Sequence, residues 1–182
     1  MREPAPHDVH IASYDREWPA MAAFEAARLA AALTPNLLRT EHMGSTSVPG
    51  LAAKPIVDLI PVVASLEDLD WQRPRIEALG YDWFGAFGIE GRRFCVLMRE
   101  GKPAVHLHFF QQDSPQIARH LIFRDYLRAH PDAARAYEAE KRRAATLHPH
   151  DSMAYNREKW DWVAHEEARA LAWAGRESTS LA

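Results

Sequence analysis

Residues 42–59 read HMGSTSVPGLAAKPIVDL, and the fold turns on how this stretch is parsed. Leu37 to Met43 reads as a strand leading in. Gly44, Ser45, Thr46 and Ser47 then crowd small and turn-forming residues together, with Pro49-Gly50 close behind. Pro55 to Val63 follows, apolar at Ile56, Val57, Leu59, Ile60, Val62 and Val63 and carrying a single acid, Asp58. A near-continuous apolar run marks a strand covered on both faces. A carboxylate there is costly unless it meets a cation, hydrogen-bond donors or a water-filled cleft. Strand, loop, strand, with one charge to account for, is the frame for the rest of the chain.

Outward from it, Val9 to Tyr14 suggests a short first strand. Trp18-Pro19 opens a helix that ends before Thr34-Pro35, proline being tolerated in a first turn. Ser65 caps a helix reaching Gly80, kinked or divided by Pro74. Tyr81 to Phe84, Arg92 to Arg99 and Ala104 to Phe110 read as three further strands, the last two joined by a hairpin turn at Glu100-Gly101-Lys102. Ser114-Pro115 starts a helix ending near His130-Pro131, and Pro131 starts another reaching Leu147. Asp151 or Ser152 caps a third that runs to Trp173. Strands in the first two thirds and helices in the last third predict an α+β domain with a mixed sheet and a C-terminal helical cover. Residues 1–174 are expected to form that single domain, and 175–182 a flexible tail.

Bulk properties narrow the function classes. A chain of 182 residues, 47% hydrophobic, can bury a core as one domain. A net charge of −3 gives no signal for nucleic acid or a membrane surface as partner. Cys95 is the only cysteine, which excludes a disulfide framework and fits the cytoplasm. No apolar run has transmembrane length, and MREPAPHDVH lacks the apolar core of a secretory signal.

The Gly44–Ser47 loop offers hydroxyls and successive amides that can ring an anion, or it is a plain tight turn. It is neither a Walker A loop, since Lys54 is followed by Pro55 and the glycines are misplaced, nor a nucleophile elbow. Asp58 can pair with Lys54. His106 and His108 alternate along one strand and therefore share a face. If that strand lies beside Asp58, the three converge, either on a divalent metal or as a carboxylate–histidine hydrogen-bonded pair.

The order strand, Gly-Ser loop, strand bearing Asp resembles the nucleotidyltransferase superfamily. EHMGSTSVPGLAAKPIVDL, GRRF, HLHFF, HLIFRDYLRAHP and YNREK, in this order, together resemble the GrpB family, a group of small proteins similar in fold to the nucleotidyltransferases. The resemblance runs from about Ile11 to about Val163 and implies a mixed sheet with flanking helices. It also implies a possible nucleotidyl or phosphoryl transferase acting on a nucleotide or another phosphate-bearing small molecule. That chemistry uses divalent metal held by carboxylates in a D-x-D/E pattern. Here Asp58 stands at the first place and Ile60, which cannot ligate, at the second. The expected catalytic and metal set is Asp58, His106 and His108, with Glu41 as a possible substitute carboxylate, and Mg²⁺, Mn²⁺ or Zn²⁺ as the ion. The expected phosphate-binding set is Gly44, Ser45, Thr46, Ser47, Lys54, Arg93, Arg124, Arg128, Tyr155 and Lys159. Lys141-Arg142-Arg143 is read as a solvated helix face. The alternative to an enzyme is a module that binds a nucleotide or anion without chemistry.

Overall fold

The computed structural model describes residues 6–180 of the chain. The element order is α1 (Trp18–Leu33), β1 (Leu37–Met43), a single 3₁₀ turn (Ser45–Ser47), β2 (Val57–Val63), α2 (Leu66–Trp71), α3 (Arg73–Ala78), β3 (Tyr81–Trp83), β4 (Arg92–Arg99), β5 (Lys102–Gln111), α4 (Pro115–Ala129), α5 (Pro131–Leu147), α6 (Ser152–Glu158) and α7 (Trp160–Ser180). The five strands form one mixed sheet in the order β1-β2-β5-β4-β3. β2 and β5 run parallel at its centre, and every other pairing is antiparallel. This is the α+β architecture expected.

Side-chain alternation divides the sheet. Val57, Leu59, Val63, Val105, Leu107 and Phe109 point to one face, where Trp18, Leu29 and Leu33 of α1, Leu69 of α2 and Ile76 of α3 close the main core over them. On the other face Ile60, Val62 and Phe110 pack with Met43 and with Ile117 of α4. That cover stops short of Asp58 and His106, which are partners in the β2–β5 register. The uncovered end of this face is where a cleft opens.

Local chemistry explains the elements. Ser65 accepts from the Asp68 amide and caps α2, and the helix breaks at Gln72, just ahead of Pro74. Asp151 accepts from the amides of Met153 and Ala154 and caps α6. Glu100 and Gly101 both take positive φ, 51° and 74°, as a two-residue hairpin loop requires. A buried carboxylate, Glu25 of α1, is satisfied by Arg28 at 2.6 Å, Arg99 at 2.8 Å and the Tyr81 hydroxyl at 2.9 Å, tying α1 to β3 and β4.

Two expectations change. Val9 to Tyr14 is not a strand: only Ala12 pairs, with Ala53, and Val9 bonds instead to Pro149. The segment crosses from one partner to another too quickly to form a ladder. The last helix is two, broken at Lys159, where no proline or glycine marks the break. The second piece, α7, packs on α4 and continues past Trp173 to Ser180, so residues 175–180 of the expected tail are helical. Residues 181–182 lie outside the described residues, as do 1–5.

Candidate functional site

A cavity of about 580 Å³ lies over the open end of the sheet. Its floor is Asp58 of β2 with His106 and His108 of β5. Gly44, Ser45 and Thr46 form one rim, and Lys54, Tyr137, Lys141, Tyr155 and Lys159 the roof. Parallel pairing sets Asp58 directly beside His106, and alternation brings His108 to the same face.

At the floor, Nδ1 of His106 lies 3.2 Å from Oδ1 of Asp58, and Nε2 of His108 lies 3.6 Å from the same oxygen. Burial opposes the charge of Asp58, but the hydrogen bond from His106 and the neighbouring imidazole of His108 outweigh it and hold the carboxyl well below the usual range. Burial pushes the His108 imidazole down in spite of Asp58, so it is neutral at pH 7. Gly44 passes directly over the carboxylate. With φ at 70°, a Cβ there would lie 2.8 Å from Oδ2 of Asp58, so only glycine fits without strain.

Two of the three loop hydroxyls are used within the loop's own structure. Ser47 donates to the Gly44 carbonyl at 2.6 Å, and Thr46 meets Nε2 of His42 at 3.0 Å. The Ser45 hydroxyl faces that of Tyr137. Ser47 and Val48 spend their amides closing the turn. The amides of Ser45 and Thr46 have no partner among the described residues, and they border the cavity.

The roof is cationic. Lys54 and Lys159 place their ammonium groups 5.0 and 5.2 Å from the centre of the Tyr155 ring. Neither makes a hydrogen bond or ion pair among the described residues. Lys141 donates to the Ala52 carbonyl and lies 4.8 Å from the centre of the Tyr137 ring. Burial lowers all three lysines, Lys54 to about 8 and Lys141 to about 7, against the attraction of Asp58 at Lys54 and Lys159 and of Glu138 at Lys141; neighbouring cations add to the lowering at Lys54 and Lys141.

The expected residues divide accordingly. Asp58, His106, His108, Gly44, Ser45, Thr46, Lys54, Tyr155 and Lys159 meet at the cavity; Ser47 is buried behind the rim. Arg93 does not reach it. It pairs with Phe109 across the ladder, on the opposite face, and binds Asp70 at 2.6 and 2.7 Å. Arg92, one residue earlier, faces the cleft instead. Arg124 holds the His42 carbonyl and Asp125, and Arg128 grips the Ser47 carbonyl at 2.7 Å. Both clamp the loop from behind. Lys141 corrects the reading of residues 141–143 as solvated. Arg142 and Arg143 pair with glutamates on the surface, but Lys141 is 2% exposed. Its spacing from Tyr137 and Ala144, the buried residues of α5, carried that signal.

For two Mg²⁺ ions the residues do not fit. Ile60 is fully buried, and Glu41, its partner across the β1–β2 ladder, faces Arg39 and Arg124 at 3.4 Å each and does not line the cavity. Asp58, His106 and His108 could hold one ion, each offering a ligand atom within 4.8 Å of the others. Here the chemistry of His108 is adverse. Nη1 of Arg92 lies 3.3 Å from its Nδ1. A guanidinium can only donate, so Nδ1 must accept and the ring proton of neutral His108 sits on Nε2, toward Asp58. Metal-bound histidines show the reverse arrangement, with the outer nitrogen donating. Nδ1 of His106, by contrast, faces the carboxylate, which leaves its Nε2 as a proton acceptor at the cavity.

Fold and site together define an α+β protein with a cation-roofed, carboxylate–histidine cleft on one face of a mixed sheet. The chain belongs to the GrpB family, whose model, described as GrpB protein, matches residues 8–169. It is similar to the UPF0157 protein YqkA of Bacillus subtilis, 38% identical over 91% of this chain and 48% of that protein, so it spans about half the length of that relative. The structure of the conserved protein GrpB from Enterococcus faecalis superposes with a TM-score of 0.85 at 37% identity, covering 91% of this chain and 99% of that one. Cid1 poly(U) polymerase matches with a TM-score of 0.45 at 14% identity, covering 66% of this chain and 38% of that one, a likeness too slight to carry an argument. Among the described residues no helix is long and apolar enough to cross a membrane.

Proposed function

We propose that the cleft binds a phosphate-bearing small molecule and that the protein is a nucleotidyl or phosphoryl transferase. In this reading Asp58 orients His106, and Nε2 of His106 takes the proton of the attacking hydroxyl. The lysines and the Ser45 and Thr46 amides neutralise the phosphates. No step passes through a metal.

One observation carries the reading: Lys54 and Lys159 bring two ammonium groups into a cavity without a hydrogen-bond or ion-pair partner among the described residues. Burying an unpaired cation costs stability, and a site retains such a cost for a ligand that supplies the counter-charge. Lys54→Met and Lys159→Met should therefore raise the melting temperature while weakening tripolyphosphate binding about tenfold or more, a loss of about 1.4 kcal/mol. Variants that melt lower and bind unchanged would show that the lysines are structural.

Ile60 favours a second reading, a module that binds the same anion without turnover. Release of labelled phosphate or pyrophosphate from nucleoside triphosphates, lost in Asp58→Asn, supports the transferase. Saturable binding with no release supports the module.

A further inference from the structure

Across the Asp58–His106 pair from the lysines, the same cavity is walled by Phe84, Phe87, Phe94 and Val96. Phe87 sits in the loop between β3 and β4 at φ 42°, a left-handed conformation that bulky side chains rarely adopt. Gly85, Gly88 and Gly91 in this loop also take positive φ. Glycine would meet the backbone demand at position 87 without strain, so it is the ring that the position keeps. Arg92 enforces the conformation by donating to the carbonyls of Ala86 and Phe87, and its guanidinium lies 5.8 Å from the Phe87 ring and 5.0 Å from that of Phe94. The two rings stack with centroids 5.3 Å apart and planes 17° from parallel. Phe94 in turn meets His106 and His108 edge-on, at 5.2 and 5.1 Å. The aromatic wall thus begins at the histidines and leads away from the lysines, and Phe87 is half-buried at its end.

We infer that Phe87, backed by the buried Phe94, is a stacking platform and that the ligand is a nucleotide. Its base lies on the Phe87 ring and its phosphates lie under Lys54, Lys141 and Lys159. The bond between the two ends then passes over Asp58 and His106. The inference rests on the anion-binding reading of the cleft and adds the planar ring and the orientation. A base stacked on an aromatic ring gains affinity that an alkyl side chain does not supply.

Calorimetric titration of ATP, UTP and tripolyphosphate at fixed ionic strength tests it in the full chain and in Phe87→Leu and Phe87→Tyr. Leucine keeps the apolar bulk and the backbone strain but removes the ring; tyrosine keeps the ring. The wild type should bind ATP and UTP at least about fivefold more tightly than tripolyphosphate. Phe87→Leu should erase that preference, Phe87→Tyr should keep it, and tripolyphosphate should bind all three proteins alike. Equal affinity of the wild type for ATP and tripolyphosphate overturns the platform and leaves the anion site standing. A preference that survives in Phe87→Leu, even with a lower melting temperature, shows a packing role and also overturns it. A wild type that binds no polyphosphate overturns both readings.

Discussion

The guanidinium of Arg92 lies 3.3 Å from Nδ1 of His108 and so places the ring proton on the nitrogen that a metal would need. Replacing the donor should free that lone pair. Arg92→Met is expected to raise Zn²⁺ affinity about tenfold, the scale on which groups behind a metal ligand act. The gain should vanish in Arg92→Met with His108→Ala, as measured by competition with a fluorescent chelator. Tight Zn²⁺ binding by the wild type that already depends on His108 would show that the proton sits elsewhere. Gly44 is constrained from the other side. An alanine there combines left-handed backbone with a Cβ 2.8 Å from Oδ2 of Asp58. Gly44→Ala should cost about 1–2 kcal/mol in urea unfolding from the backbone alone. It should also weaken anion binding, because the rim must lift away from the carboxylate.

β2 (Val57–Val63) changes character along its length. Asp58 lies under the cavity, whereas Ile60 and Val62, on the same face, lie under α4 with Phe110 and Ile117. This gradient of cover seals position 60 from the cleft, Ile60 being fully buried. An acid placed there should therefore not support two-metal chemistry. Ile60→Asp is expected to destabilise the fold by at least about 3 kcal/mol, through lost packing and a buried carboxyl group. It should yield no Mg²⁺-dependent transfer. A stable Ile60→Asp protein with new Mg²⁺-dependent turnover would mean that α4 gives way at this end of the sheet.

For the molecule as a whole, buried cations give binding and stability opposite responses to pH. Lys54 titrates at about 8 and Lys141 at about 7 in the folded protein, because burial disfavours their charge; in the unfolded chain lysine keeps its proton to about 10.5. Between pH 7 and 9 the unfolded state holds more protons, so these groups make the ligand-free protein more stable as pH rises. Over the same interval the cleft loses positive charge, so affinity for tripolyphosphate should fall. Melting curves and calorimetry across pH 7–9 check both signs, and affinity that rises with pH would remove the lysines from the anion site. On the acid side His42 and His120 are lowered to about 4, chiefly by burial. Their stability is fully present above about pH 6.5 and lost as pH falls toward 4, where both become charged inside the fold.

Most of the elements were legible from local rules. α1 and β1 begin and end where proline, strand pattern and turn chemistry predict, β4 spans Arg92–Arg99 as read, and the Glu100-Gly101 turn joins it to β5. Asp58, His106 and His108 stood out because each interrupts an apolar strand, and such groups must find one another or water. Period-two alternation was enough to put the two histidines on one face. What only the tertiary structure decided follows from partners distant in sequence. The parallel pairing of β2 with β5 sets Asp58 against His106 across an interval occupied by α2, α3, β3 and β4. Which arginine enters the cleft depends on register, and the one-residue difference between Arg92 and Arg93 is a change of face. Lys141 joins the roof because α5 packs against the Val48–Ala52 segment between β1 and β2, and the break at Lys159 has no proline or glycine to announce it. Alternation and capping are properties of a few neighbouring residues, whereas a cleft is made by the docking of elements, and its charge is set by which side chains lose their water there.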